Sequence, residues 1–311
     1  MKVTFFPFMP CCETGSSRVR AYWLSEHLAK QGIDAQATYH EAPPGNLENV
    51  LDSDILVFQK TYEEPWIRLA EAAKERGIKI VLDQVDKEEI TRMHSLADVL
   101  TTDSTALAEW YHSLNPDVET RVIEDCVAYL KSPLPPRQHT ESDGLKIAYF
   151  VSPSMIDNIF VCYNALKKLE SRRNYDLVII AGRLDRWRLG RLKYEYWRWS
   201  VEGFTGLLRK CDLAILPQKW NWKGGNKMVQ AVTHNLPTVS SDTPAYRSIA
   251  ESTGTEEFLC TKPAEWLAAL EAMFDPDERN CFLSKTTGYI WDNYNLGYIA
   301  QQWIDLFEGL I

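Results

Sequence analysis

Between the apolar run Leu213–Pro217 and the segment Leu236–Asp242 the chain reads Trp220-Asn221-Trp222-Lys223-Gly224-Gly225-Asn226-Lys227-Met228-Val229-Gln230-Ala231. Two adjacent glycines let a backbone approach a ligand closely, and Asn226 and Lys227 place donors at the start of the helix that should follow. A lysine there can neutralise the charge of a leaving phosphate. Gly224 and Gly225 would also shape a plain turn with Lys227 at the surface, but two tryptophans and two lysines in so short a span favour a functional reading. A second junction of this kind, Pro10 to Arg18, carries Gly15, Ser16, Ser17 and Arg18. Free N–H groups at a helix start, a serine cap and an adjacent arginine suit a diphosphate or another anion. An ordinary serine N-cap beside a solvated arginine fits equally well.

Carboxylates that could orient a hydroxyl end the run "KIVLDQVD": Asp83 and Asp86. They would also serve as helix caps for the segment beginning "KEEI". Lys60 ends "ILVFQK" and topology sends it to the same rim, unless it is a solvated strand terminus. Arg183 follows Gly182 at the end of "YDLVIIAG", and Ser152 follows "LKIAYFV"; both are expected to face a donor. From Arg183 to Trp199 six basic residues interleave with five aromatics. Such a stretch can hold a nucleotide base or stack on single-stranded nucleic acid; a basic loop before an amphipathic strand explains most of it as well. "DSD" at Asp52 to Asp54 precedes a strand and reads as a turn. The six histidines show no ligand spacing, so neither a metal site nor a covalent nucleophile is expected.

Loops carry these residues because strands and helices alternate around them. "KVTFFPF", "DAQATY", "DILVFQK", "KIVLDQV", "DVLTTD" and "TRVIED" read as strands, separated by helices near 17–31, 65–76, 88–95 and 104–114. The proline-rich segment 131–143 cannot continue either element and reads as a linker. The pattern then restarts with "LKIAYFV", a helix near 158–169, "YDLVIIAG", "KYEYWRW", a helix near 201–210 and "LAILP". It continues through the glycine loop and its helix to "PTVSS", with further helices from 245 and from 264 to 274. "GYIWDNYNLGYIAQQWIDLFEGL" reads as one closing helix. Alternation of this kind implies mostly parallel sheets covered on both faces, and open α/β sheets bind ligands beyond the carboxyl ends of their strands.

Bulk properties fit two domains. The length is 311 residues, with 45% hydrophobic and 25% charged residues, as in an ordinary globular protein. No apolar run is long enough to span a bilayer, so no transmembrane segment is expected, and a cytoplasmic setting follows by default. Seven cysteines with scattered spacing read as reduced core thiols, and a net charge of -9 argues against generic attraction to nucleic acid.

"CDLAILP", "GGNKMVQAVTHNLPTVSSD" and "DLVIIAG" resemble the donor-binding half of bacterial GT-B glycosyltransferases, the large retaining family that uses nucleotide sugars (family 4-like, group 1). "GSSRVRAYWLSEHLAKQGIDA", "VFQKTY", "IVLDQVD" and "ADVLTTDSTALAEWY" are similar to its acceptor half. The resemblance implies an α/β fold of two Rossmann-like doubly wound domains facing a central cleft. Its boundaries would be an acceptor domain at 1–130, a linker at 131–143, a donor domain at 144–285 and a closing helix at 286–311 packing back on the first domain. It implies transfer of a sugar from a nucleotide diphosphate sugar, UDP-, GDP- or another, to a carbohydrate or other hydroxyl. Configuration would be retained, the leaving diphosphate would assist, and no further cofactor would be required. Arg18, Lys227 and Lys223 would stabilise the diphosphate, and Asp83 and Asp86 would orient the acceptor hydroxyl, with Lys60 on the acceptor side. Gly15, Ser16, Ser17, Ser152, Gly182, Arg183, Gly224, Gly225, Asn226 and Gln230 would hold the donor. In two places the chain departs from the family: where relatives usually carry two glutamates separated by seven residues stand Trp222 and Gln230, and Asn235 replaces a usual glycine. Gln230 can still hydrogen-bond ribose hydroxyls; Trp222 cannot replace a carboxylate. A nucleotide-sugar-binding protein without transferase activity is therefore one alternative, and a glycosyltransferase acting on nucleic acid is another. A sugar-nucleotide epimerase would need an acid/base constellation that the sequence does not display.

Overall fold

The computed structural model describes all residues except 12–13, 44–49, 128 and 185–189. Cys12, and Arg186, Trp187 and Arg188 of the basic aromatic stretch, lie outside the described residues. The chain divides into two compact units. The first comprises Met1–Cys126, Trp222–Gly224 and Tyr294–Ile311; the second comprises Val127–Asn221 and Gly225–Asn293.

In the first unit β1 (Lys2–Phe6), β2 (Asp34–Ala37), β3 (Ile55–Gln59), β4 (Lys79–Gln84), β5 (Val99–Thr102) and β6 (Glu119–Val122) form one sheet in the order β2-β1-β3-β4-β5-β6. Every described pairing in it is parallel. β3 and β5 are buried at every position, as strands covered on both faces must be, which explains their unbroken apolar runs. One face carries Phe6, Phe58, Leu82 and Leu100 against Trp66, Met93 and Tyr111 of the crossover helices. The helix expected over 17–31 is interrupted. A short α1 (Gly15–Ser17) leads into a π-helical turn, Arg18–Tyr22, before α2 (Trp23–Lys30). A π turn inserts a residue into the ladder and re-aims the side chains around it; it is this turn that carries Arg20. α3 (Glu64–Glu75), α4 (Arg92–Leu96) and α5 (Thr105–Leu114) complete the crossovers, the last capped by Ser104 Oγ, which accepts from Leu107 N.

In the second unit β7 (Leu145–Phe150), β8 (Tyr175–Ala181), β9 (Glu195–Arg198), β10 (Leu213–Leu216), β11 (Thr238–Ser241) and β12 (Leu259–Cys260) form a second parallel sheet, ordered β12-β11-β10-β7-β8-β9. The helix expected near 158–169 divides into a 3₁₀ run, Pro153–Val161, and α6 (Tyr163–Leu169). α7 (Phe204–Leu208), α8 (Asn226–Thr233), α9 (Pro244–Thr253) and α10 (Pro263–Ala272) follow, with α9 bounded by a Thr243 cap, a proline in its first turn and a left-handed Gly254. Segment 131–143 forms neither helix nor strand and is fastened to the second unit. Arg137 pairs with Asp212 at 2.5 Å, His139 N donates to Asn280, and Arg279 donates to Thr140 O.

The closing segment is two helices rather than one. α11 (Pro276–Tyr294) stops where Asn295 takes an extended backbone, φ -64 and ψ 153, and its side chain accepts from Tyr298 N to start α12 (Leu296–Leu310). An asparagine cap outcompetes helix continuation at that point. α12 belongs to the first unit, where Trp303 and Phe307 meet Phe5 edge-on at 6.2 and 6.1 Å.

Candidate functional site

In each sheet the chain starts in the middle, builds outward on one side, then returns to build the other. In the first unit this reversal lies between β1 and β3, and in the second between β7 and β10. A reversal leaves the loops after the two central strands diverging, which opens a crevice at their carboxyl ends. In the first unit those loops carry Gly15–Arg18 and Lys60; in the second they carry Ser152, residues 217–221 and residues 225–226.

The first unit's strand ends hold a buried polar network. Arg20, missed by the sequence reading, sits with its side chain 1% exposed and donates through Nε and Nη2 to Asp83 Oδ1 at 3.0 and 2.7 Å. Its Nη1 reaches Ile123 O at 2.6 Å and Asp125 at 3.1 Å. Asp83 also accepts from Thr101 at 2.8 Å and Gln59 at 3.0 Å. Both its oxygens are thus engaged inside the sheet, which makes Asp83 an organiser of the strand ends. Ser17 is likewise turned inward, donating to Gln59 Oε1 at 2.8 Å while accepting from Met9 N, and Gln59 donates to Ser16 O. Arg18 is 3% exposed and donates to Cys11 O, so it is not the solvated arginine that one reading allowed.

Lys60 and Asp86 come together as an ion pair, and Lys223 pairs with the other oxygen of Asp86. Lys60 adopts φ 51, a left-handed conformation that costs a residue other than glycine about 1 kcal/mol or more and marks functional sites more often than chance. Burial lowers its pKa, while the nearby Asp83, Asp103, Glu88 and Asp125 carboxylates oppose that shift. Tyr111 OH holds Asp86 O at 2.8 Å.

Asp103, just past β5, is a second residue the sequence reading passed over. It is 7% exposed, and its Oδ1 has no hydrogen-bond partner among the described residues. Burial pushes its pKa well up, Asp125 adds to the rise, and Arg20 opposes it. Gly224 lies against it: a Cβ on Gly224 would stand 2.7 Å from Asp103 Oδ2 and 2.8 Å from its carbonyl oxygen. This close approach, rather than any left-handed backbone, is why a glycine stands at 224. Trp222 accepts from Ser104 Oγ at 2.5 Å through its carbonyl, and its ring receives the Lys87 ammonium at 4.7 Å.

The second unit's strand ends carry the donor candidates. Asn226 and Lys227 open α8, the helix that the glycine loop should feed, and both are half-buried. Gly225 precedes them, packed so that a Cβ would meet Ile249 Cδ1 at 3.0 Å. Gln230, one turn further, is 3% exposed, and its Oε1 has no partner among the described residues. Asn158 donates to Gln218 at 2.8 Å and leaves its own Oδ1 buried without a partner among them. Ser152 is exposed beyond β7 and contacts Ser154 at 3.2 Å. Gly182 and Arg183 are exposed beyond β8. These loops follow β7, β8 and β10, which are adjacent in the sheet, so the sequence-predicted donor residues of this unit share one edge.

Among the described residues, no group of three or more His, Cys, Asp or Glu side chains could hold a metal ion. No described helix is long and apolar enough to cross a membrane.

No protein-family model matches the sequence, and no curated protein matches it significantly. Solved structures do match. A glycosyltransferase from Rickettsia africae superposes with a TM-score of 0.73 at 11% identity, covering 99% of this chain and 97% of the other. Anabaena HepE in complex with UDP gives 0.70 at 13% identity, over 99% and 100%. WaaB, a lipopolysaccharide outer core galactosyltransferase, gives 0.66 at 11% identity over the whole of both chains. The chain has the GT-B fold. GT-B topology accounts for both sheets, and the residues described above stand at the carboxyl ends where such sheets bind ligands.

Proposed function

We propose that this GT-B protein is a glycosyltransferase that moves a sugar from a nucleotide diphosphate sugar to an acceptor hydroxyl with retention of configuration. One observation carries the reading: at the reversal point of the second sheet, α8 begins with Asn226 and Lys227, and one turn later Gln230 buries a side-chain oxygen that no described residue serves. Helix N-terminal N–H groups and a lysine suit a diphosphate, and a buried amide oxygen suits a ribose hydroxyl. HepE, similar in fold over its full length, has been solved with UDP-glucose, which makes a UDP-sugar the first donor to test. In this reading the second unit holds the donor through Ser152, Gly182, Arg183, Asn226, Lys227 and Gln230. The first unit receives the acceptor, with Lys60 and Asp86 at its strand ends. No further cofactor is required.

The test is nucleotide release from UDP-, GDP-, ADP- and dTDP-sugars. Wild-type protein should release nucleotide from at least one donor, and Lys227→Ala should lower kcat/KM by about 10²-fold, the scale of losing one charge-stabilising donor. Donor binding that raises the melting temperature without any release would instead favour a non-catalytic nucleotide-sugar-binding protein, the reading that Trp222 motivates.

A further inference from the structure

The first unit's strand ends gather several carboxylates among cations that already have partners. Arg20 is committed to Asp83 and Asp125, and Lys60 and Lys223 are committed to Asp86. Asp103 and Glu88 stand in the same field, since both act on Lys60. Asp103 differs from the rest of this cluster. Asp83 has both oxygens served within the sheet, whereas Asp103, although more than nine-tenths buried, has an Oδ1 that no described residue serves. The charges of Asp125, Arg20, Asp83 and Lys60 all act on it, so it belongs to the same electrostatic cluster.

A buried carboxyl oxygen without a partner costs more than the average hydrogen bond returns, so its persistence points to a ligand group that serves it. The requirement for glycine at 224, imposed by contact with Asp103 Oδ2 and O, keeps a side chain off the carboxyl. A side chain at 224 would crowd Oδ2 and the carbonyl oxygen, which leaves Oδ1 as the oxygen for a ligand.

We propose that Asp103 Oδ1 binds a hydroxyl of the acceptor, and that this acceptor is an uncharged polyhydroxylated sugar. Charge decides the class. A phosphorylated sugar or a nucleic acid would bring negative charge against Asp83, Asp86, Glu88 and Asp125, while Arg20, Lys60 and Lys223 are already engaged and Lys87 lies over the Trp110 and Trp222 rings. A neutral hydroxyl pays no such penalty, and with burial raising its pKa the carboxyl can accept a hydrogen bond from the hydroxyl or donate one to it. The proposal rests on the glycosyltransferase reading for its use in a reaction, and on the geometry of Asp103 alone for binding.

Binding can be measured without turnover. The full chain, labelled with ¹³C at aspartate side-chain carboxyls and with the Asp103 resonance assigned by its loss in Asp103→Asn, is titrated with methyl glycosides of glucose, galactose, mannose and N-acetylglucosamine. Glucose 6-phosphate serves as the anionic probe. At least one methyl glycoside should shift the Asp103 resonance, with binding weakened roughly tenfold to a hundredfold in Asp103→Asn, the loss expected for one hydrogen bond to a carboxylate. Glucose 6-phosphate should bind less tightly than the matching glycoside. If no neutral glycoside moves the resonance at concentrations up to about 100 mM, where even very weak sites fill, or if the phosphate is the tighter ligand, the proposal fails. Should Asp103→Asn not fold, Asp103→Ser supplies the assignment and the comparison. A wild type that releases no nucleotide would overturn the transferase reading and leave this titration result standing. Where transfer occurs, Asp103→Asn should raise acceptor KM by the same factor and leave donor-induced thermal stabilisation unchanged, which a general structural defect would not do.

Discussion

Replacing Gly224 by alanine should destabilise the protein for a reason that can be read in ångströms. The new Cβ would lie 2.7 Å from Asp103 Oδ2 and 2.8 Å from Asp103 O, with the carboxyl carbon at 2.9 Å. A short side chain can swing aside, but the carbonyl oxygen belongs to the backbone at the β5 end, and Ser104, the next residue, caps α5. The backbone must therefore shift or residues 222–224 must lift, and overpacking of this kind costs about 1–3 kcal/mol. Alanine also stiffens the unfolded chain, which returns roughly 0.4–1 kcal/mol. The net loss is about 1–2 kcal/mol, and at some 2–4 °C per kcal/mol for a large domain Tm should fall by about 2–8 °C. Gly288→Ala is the control, because a Cβ in that helix meets nothing within 4 Å; it should melt at or above wild type. Thermal unfolding followed by circular dichroism measures both. A Gly224→Ala protein that melts no lower than wild type would show that the close approach to Asp103 does not require glycine, and the reasoning would be wrong.

Two further outcomes follow from buried polar groups. Arg20→Met removes the partner of Asp83, whose side chain is 1% exposed, and should cost about 3–5 kcal/mol in urea unfolding; adding Asp83→Leu should recover part of that loss, and a fully additive double variant would contradict the pairing. His139 and His234 are held down to about 4, chiefly by burial, with Arg137 and Arg209 respectively reinforcing the effect. Their folded pKa values lie below the unfolded value of 6.5, so their contribution is present above pH 6.5 and is lost as pH falls toward 4, at a slope of up to about 2.7 kcal/mol per pH unit for two protons. Asp103 tilts the other way, because a raised folded pKa makes its contribution fall as pH rises above the unfolded 3.8. His234→Gln isolates one histidine: guanidinium midpoints measured from pH 7 to 4.5 should decline less steeply than in wild type, and parallel curves would refute the assignment.

Much of the fold was legible because burial on both faces writes itself into sequence. "ILVFQ" and "KIVLDQ" are nearly uniform apolar runs since neighbouring strands and helices leave them little contact with water. Loops at Gly15 and at Gly224-Gly225 were visible because turns at strand ends draw on a short list of residue types. The π turn at Arg18–Tyr22 and the Asn295 break between the last two helices were not, since each depends on a local competition that apolar spacing does not record.

The sequence by itself determined the α/β class, the alternation that yields two parallel sheets, and the loops where polar residues gather, all of which follow from periodicity and turn chemistry. Only the tertiary structure decided what those residues do for one another. Arg18 and Arg20 are two positions apart and chemically identical, yet Arg18 donates to Cys11 O nearby while Arg20 reaches Asp83, 63 residues away. Lys223 meets Asp86 across 137 residues of chain. Asp103 looks like any residue before a helix until the sheet buries it, places Gly224 against one oxygen and leaves the other without a partner among the described residues. Pairings between distant residues and the loss of water around a charge are properties of packing, and no local pattern in the chain encodes them.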